Sequence, residues 1–284
     1  MRNPILRTIR YAKRSYYWKK NSEPFLSGDL FADKSDIAMY PPKFRGPKPT
    51  KSKVAKANVI FCPSDYIESF LEEYKNFIHA KVLIVGNGDR DFLEFPNQLP
   101  SSVKQVFMQN LQFMDSRFSC LPIGLENIRL ATNGLPELFR DGGLPSNGME
   151  AALIGPFGNT HPERLELTNF GDIDGPWVYF DERLTPKQYA NIARKFQFVA
   201  TPRGNGVDTH RFWETLYRGS VPIVKSGPWS NQLRYLKLPF LEVDEWQPQL
   251  VRQLITKNLG SNFNPRTQNN LWWPEWKNKI SSYL

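Results

Sequence analysis

The sequence predicts an α/β protein built on parallel strands, and three observations carry that prediction. Short, continuous apolar runs recur along the chain and end in Gly, Asn or Asp, as strands covered on both faces do. Segments with helical periodicity or helix-start signals lie between them. From residue 185 to 224 the order is unbroken: helix, strand, Gly-rich loop, helix, strand.

Residues 41 to 53 hold four prolines, which remove donors and fix backbone angles, so this stretch is expected to form no regular element. Ala57 to Cys62 then reads as a buried strand and Tyr66 to Ile78 as an amphipathic helix, with Ser64 or Asp65 near its cap. Lys81 to Val85 reads as a second strand ending in Gly86-Asn87-Gly88-Asp89. Val103 to Met108 gives a third, leading to Gln109-Asn110. Ser119 to Ile123 gives a fourth, ending in Gly124-Leu125-Glu126-Asn127. Loops after the carboxyl ends of such strands face the ligand crevice of open α/β sheets, although Gly, Asn and Asp also end strands for turn reasons alone. The Gly-, Pro- and Asn-rich stretch 133 to 148 marks a junction. A new unit begins at Ala151 to Gly155, followed by Asn159 to Arg164. Thr185 caps a helix with Pro186 at its first position, Phe196 to Ala200 is a strand, and Val221 to Val224 is another. The expected organisation is a basic extension and linker-rich start over 1–53, an N-terminal α/β unit over 54–148, a C-terminal unit over 149–270, and a closing aromatic segment over 271–284.

Composition limits the class. The 284 residues are 40% hydrophobic and 14% aromatic, ample for buried cores. No run approaches the roughly 20 apolar residues of a membrane-spanning helix, and no signal-type apolar run follows the basic N-terminus. The expectation is a cytoplasmic protein. Cys62 and Cys120 sit among apolar residues and read as buried, reduced thiols. Histidines at 79, 161 and 210 have no zinc spacing, so no metal site is expected. The net charge of +9 is concentrated in residues 1–20, where Arg2, Arg7, Arg10, Lys13, Arg14, Lys19 and Lys20 alternate with apolar and aromatic residues. Such a segment is a solvated extension, lies on an anionic membrane surface at the inner face, or grips nucleic acid, the reading the pattern favours least.

The segment from Pro202 to Glu214 carries chemistry. Gly204 and Gly206 allow unusual backbone angles and close approach of a ligand around Asn205. Asp208 is expected to cap a helix over Thr209 to Arg218, whose free amides and dipole favour an anion. Arg203 and Arg211 add forked, charge-assisted donors for phosphate oxygens. Glu214, one turn further on, is placed to accept from ribose hydroxyls, against the plainer reading of an Arg211–Glu214 pair. His210 is placed to donate to a phosphate or glycosyl oxygen, or is a hydrogen-bonded structural histidine. Phe212, Leu216 and Gly219 form the face expected to pack on the sheet.

The run from Phe198 to Val224, with Pro202-Arg203-Gly204 leading into a helix bearing Arg211 and Glu214 and then Gly219 and Pro222, resembles the sugar-nucleotide-binding half of exostosin-like glycosyltransferases. Landmarks similar to those of microbial and viral members occur in order at Ser27-Gly28-Asp29, Asn87-Gly88-Asp89, Gln109-Asn110, Pro122 to Asn127 and Asn159 to Arg164. The resemblance implies a GT-B-like fold: two Rossmann-like domains facing across a cleft, the C-terminal one holding the nucleotide and the N-terminal one trimmed in so short a chain. It implies metal-independent, inverting transfer from a UDP- or GDP-linked sugar to a hydroxyl on a glycan, lipid-linked or protein acceptor. No cofactor is expected. Arg203, Arg211 and Arg164 then stabilise the leaving diphosphate, with Gly204, Asn205, Gly206, Asp208 and Thr209 shaping its seat. A carboxylate of the other domain takes the acceptor proton, Asp89 first, with Glu126 and Asp29 as alternatives. Two rivals stand beside it. One is a metal-dependent enzyme using Asp89-Arg90-Asp91 or Asp172-Ile173-Asp174. The other is an inactive carbohydrate- or nucleic-acid-binding protein.

Overall fold

The computed structural model describes residues 16, 20–40, 48–95, 98–140, 148–261 and 263–284. Most of the basic N-terminal segment, and with it the reading of a membrane-touching end, lies outside the described residues.

Two sheets of five parallel strands form two Rossmann-like halves that face each other across a cleft, the GT-B-like arrangement expected. The first sheet runs in simple spatial order: β1 (Ile37–Ala38), β2 (Val59–Pro63), β3 (Val82–Gly86), β4 (Gln105–Met108) and β5 (Phe118–Cys120). Strands β2, β3 and β4 are buried at every position, which explains their uninterrupted apolar sequence. The second sheet contains β6 (Met149–Ile154), β7 (Trp177–Tyr179), β8 (Phe196–Ala200), β9 (Val221–Lys225) and β10 (Leu241–Val243), in the order β10-β9-β8-β6-β7.

The first half is short in its connections rather than in its strand number. Helix α1 (Gly28–Asp33) precedes β1, and α2 (Lys51–Lys56) and α3 (Ile67–Tyr74) flank β2. Among the described residues no α-helix lies between β3 and β4 or between β4 and β5. Two expectations change here. Ile37–Ala38 lies within the stretch read as extension and linker, yet it pairs with Ile60 and Phe61 as an edge strand. Lys51–Lys56 is helical although 41–53 was expected to be irregular, because Thr50 accepts from the Lys53 amide and caps it beyond the last proline.

The second half adds α4 (Glu163–Glu166), α5 (Pro186–Ala193), α6 (His210–Arg218), α7 (Pro228–Tyr235) and α8 (Pro248–Asn258); α9 (Trp273–Ser281) closes the chain. Thr185 and Gln188 form a full capping box on α5. The apolar face of α6 packs beside β9 of the second sheet, as expected, and reaches further. Phe212, Trp213, Leu216 and Tyr217 are buried in the core of the first half, with Trp273 and Trp276 of α9. Tyr217 accepts from the Leu26 amide at 3.0 Å and donates to the Leu271 carbonyl at 2.8 Å, so one side chain of α6 ties together both ends of the chain. Cys62 and Cys120 are free and buried, and burial raises both thiol pKa values. No helix among the described residues is long and apolar enough to cross a membrane.

Candidate active site

The order of the second sheet creates a crevice. The chain leaves β6 toward the β7 edge, then crosses back over β6 to β8 and continues to the opposite edge. Loops leaving the carboxyl ends of β6 and β8 therefore diverge, the arrangement that opens a ligand site in α/β sheets. A cleft of about 1130 Å³ lies here. The loops after β6, β7 and β8 line it, and Asp89, Ile123, Thr132 and Asn133 close it from the first half.

The floor is built on arginine. Arg211, in the first turn of α6, donates to the Pro156 carbonyl at 2.6 Å, and its guanidinium lies 4.7 Å from the Phe157 ring centre and 4.9 Å from that of Tyr189. Arg164 donates to the carbonyls of Arg203 at 2.9 Å and Gly158 at 3.3 Å. Both cations thus hold carbonyl oxygens, which orient them without neutralising them. Burial, and next the nearby charge of Arg211, bring the Arg164 pKa down to about 10, with Glu163 offsetting this in part. Two guanidiniums close enough to repel, in a half-buried wall, favour an anion between them. Three polar atoms of the same wall, Arg211 Nη1, Tyr189 Oη and Thr209 Oγ1, are buried without a hydrogen-bond partner, though buried polar groups are as a rule paired. Gly204 sits against Arg164: a Cβ there would lie 3.0 Å from Arg164 Nη2.

The rest of the Gly-rich loop faces the first half. Arg203 is paired with Asp91 at 2.5 Å, and Asp91 also accepts from the Val207 amide at 3.1 Å. Asn205 donates to Asp89 at 3.1 Å. The Asp208 amide donates to Asn110 at 2.9 Å, and the Asp208 carboxyl accepts from the Ile123 amide at 2.9 Å and from Trp213 Nε1 at 2.7 Å. His210 Nδ1 lies 2.8 Å from the Gly124 carbonyl oxygen. Gly206 fits this docking closely, since a Cβ there would lie 2.8 Å from the Asn110 side-chain amide and force it to shift.

The expected roles divide accordingly. Asp208 is not the helix cap: Thr209 occupies that position without a side-chain bond, and the Asp208 carboxyl is turned into the interface between the halves. Arg203 is engaged by Asp91 and so differs from Arg164 and Arg211, although all three were grouped as phosphate ligands. Glu214 lines the cleft, and its partner is Arg218 at 3.3 Å, not Arg211. Of the three carboxylates considered as proton acceptors, Asp89 is in the cleft wall and exposed. Asp29 is buried in a polar network: Arg129 donates to it at 2.5 Å and Asn87 at 3.2 Å, Asn127 Nδ2 donates to Asn87, and the Asp29 amide donates to Asn127. Glu126 accepts from Thr132 Oγ1 and, at 2.8 Å, from the Asn133 amide, which fixes this part of the cleft lining from behind. Neither Asp29 nor Glu126 reaches the wall. The landmarks Ser27-Gly28-Asp29, Asn87 and Asn127 thus occur together because they build one network at the strand ends.

Both Asp-x-Asp motifs are accounted for. Asp89 and Asp91 hold the 203–207 loop, whereas Asp172 and Asp174 are exposed and away from the cleft lining. Sequence reasoning missed Phe157, Tyr189 and Arg183 of the cleft lining. Only the position of Phe157 just after a strand end could have pointed to it.

No family model matches the chain, and no curated protein matches it in sequence. Among solved structures it is similar to CalG4, the calicheamicin glycosyltransferase, at 12% identity and a TM-score of 0.35, over 80% of this chain and 75% of that one.

Proposed function

We propose that this protein is a glycosyltransferase that binds a nucleotide-sugar donor in the interdomain cleft and passes the sugar to a hydroxyl acceptor. The observation that carries the reading is the Arg164–Arg211 pair: two cations oriented by carbonyls, beside a glycine that leaves room, at the start of a helix and at the switch point of the second sheet. That is a seat for a diphosphate. Phe157, Tyr189 and Leu184 give the apolar surface a nucleoside needs, with Asp181, Arg183 and Glu214 as polar groups to orient its base and ribose.

In the step proposed, charge grows on the diphosphate as the glycosidic bond breaks. Arg164, Arg211 and the free amides at the start of α6 are fixed in advance to receive it. That set supplies cationic stabilisation from the protein itself, which supports a metal-independent transfer, and a single displacement across the cleft would invert the anomeric carbon. The donor is UDP- or GDP-linked. The acceptor is a glycan, lipid-linked or protein hydroxyl, and the setting is polysaccharide synthesis at the inner face of a membrane.

The test is nucleotide release from UDP- and GDP-linked sugars, with chelator and with manganese added. Turnover that survives chelation, and is lost in Arg164→Ala and Arg211→Ala, is the expected result. Strict manganese dependence would move the reading to the Asp-x-Asp alternative. Affinity for nucleic acid that falls steeply with salt, without nucleotide binding, would favour the third reading.

A further inference from the structure

We infer that His210 is the group that accepts the acceptor proton, and that the Gly124 carbonyl of the opposite half holds it in the tautomer this requires. The inference rests on the nucleotide-sugar reading of the cleft. His210 Nδ1 lies 2.8 Å from a backbone carbonyl oxygen, which can only accept. Nδ1 must therefore carry the proton. In the neutral ring that leaves Nε2 with a free lone pair, on a half-buried side chain that lines the cleft directly before Arg211.

The carbonyl itself is aimed by the backbone. Gly124 has φ +65, a left-handed conformation, and a Cβ there would lie 2.2 Å from the Leu26 carbonyl oxygen, so only glycine serves. The Leu125 amide donates to the same Leu26 carbonyl at 2.8 Å. On the other side of the Ile123–Gly124 peptide, the Ile123 amide donates to Asp208 at 2.9 Å. Consecutive residues of the first half thus grip residues 208 and 210 of the second, and the imidazole is oriented only while the halves are together. Asp89, the carboxylate that lines the cleft from the first half, is exposed and already accepts from Asn205 at 3.1 Å. His210 is the better placed of the two.

The acceptor O–H gives its proton to Nε2 as the oxygen lone pair forms a bond to the anomeric carbon. The bond from that carbon to the diphosphate oxygen breaks, and the electron pair leaves on the nucleoside diphosphate beside Arg164 and Arg211. The imidazolium then loses its proton to water. Gly124 is a positioning residue and His210 a catalytic one.

The chain has three histidines, so long-range ¹⁵N–¹H correlation spectra of histidine-labelled protein at neutral pH, assigned with His210→Gln, report this ring directly. The expected result is the Nδ1–H tautomer; the Nε2–H tautomer, or a solvent-like mixture of the two, would overturn the inference. A second arm measures UDP and GDP binding beside nucleotide release from UDP-glucose, UDP-N-acetylglucosamine and GDP-mannose. His210→Gln is expected to bind nucleotide within about twofold of the parent and to turn over about 10²–10⁴-fold more slowly, the range of general-base catalysis. Full turnover in His210→Gln together with its loss in Asp89→Asn would return the role to the carboxylate. If neither nucleotide binds the parent protein, the reading of the cleft fails, while the tautomer spectrum still decides how His210 is held.

Discussion

Asp208 offers a prediction whose sign and size both follow from its surroundings. Its carboxyl is buried, and three N–H groups point at it, from Ile123, Trp213 and Thr209. Burial, the largest influence, raises its pKa from 3.8 to about 7, and the three donors pull the other way without cancelling it. For an acid whose folded pKa lies above its unfolded value, the contribution to stability is fully present below the unfolded pKa and is lost as pH rises through the folded one. A separation of about three pH units, at about 1.4 kcal/mol per unit, gives a loss of about 4 kcal/mol between pH 4 and 7 from this group. Other groups titrate in the same range, so the quantity to measure is a difference. Urea unfolding of the parent and of Asp208→Asn, from pH 4 to 8, should show the parent losing stability relative to the variant up to about pH 7, with parallel curves above it. Asp208→Ala should be less stable at every pH, since each orphaned buried donor costs about 1–3 kcal/mol. Parallel curves across the whole range, or a parent that gains on the Asn variant as pH rises, would refute the account of Asp208 as a buried carboxyl strained by desolvation.

Three further outcomes are expected. Arg203→Ala should weaken UDP or GDP binding less than Arg164→Ala or Arg211→Ala in calorimetric titration, because Arg203 is committed to Asp91; each of the latter two should cost about 1.5–3 kcal/mol, the range for a charged hydrogen bond. Gly206→Ala should loosen the loop from Asn110 and lower stability by about 1–3 kcal/mol in urea melts, as other overpacking changes do. Trp276→Ala, which empties a fully buried site between Phe31 and Phe107, should cost about 3–5 kcal/mol and leave nucleotide affinity nearly unchanged, since α9 lies outside the cleft lining.

The inner strands of both halves were legible because each is a short buried run with a polar stop, and Phe196–Ala200 was expected with the bounds the structure gives; the three-residue strands β7 and β10 of the second sheet were not read. The start of α5 was equally plain, since its Thr-Pro-x-Gln cap is local chemistry. Edge strand β1 was not legible. Two half-buried residues carry no period, and they become a strand only because β2 offers its edge. Within the site, Arg211 and the Gly204–Gly206 loop could be read because backbone freedom and a helix start are local properties. The sorting of Arg164 from Arg203, and of Asp89 from Asp29 and Glu126, could not. It depends on Asp91, Arg129 and Thr132, which reach these side chains through tertiary contact. Asp208 shows the same limit: its type and position suit a helix cap, and the amide of Ile123, 85 residues away, draws it elsewhere.

The central claim is that Arg164 and Arg211 seat the diphosphate of a nucleotide sugar. Isothermal titration of UDP and GDP into the parent protein and into Arg164→Ala/Arg211→Ala tests it most directly. Binding of one nucleotide to the parent, reduced at least about 100-fold in the double variant, is the predicted result. Equal affinity of the parent and the double variant for that nucleotide would contradict it.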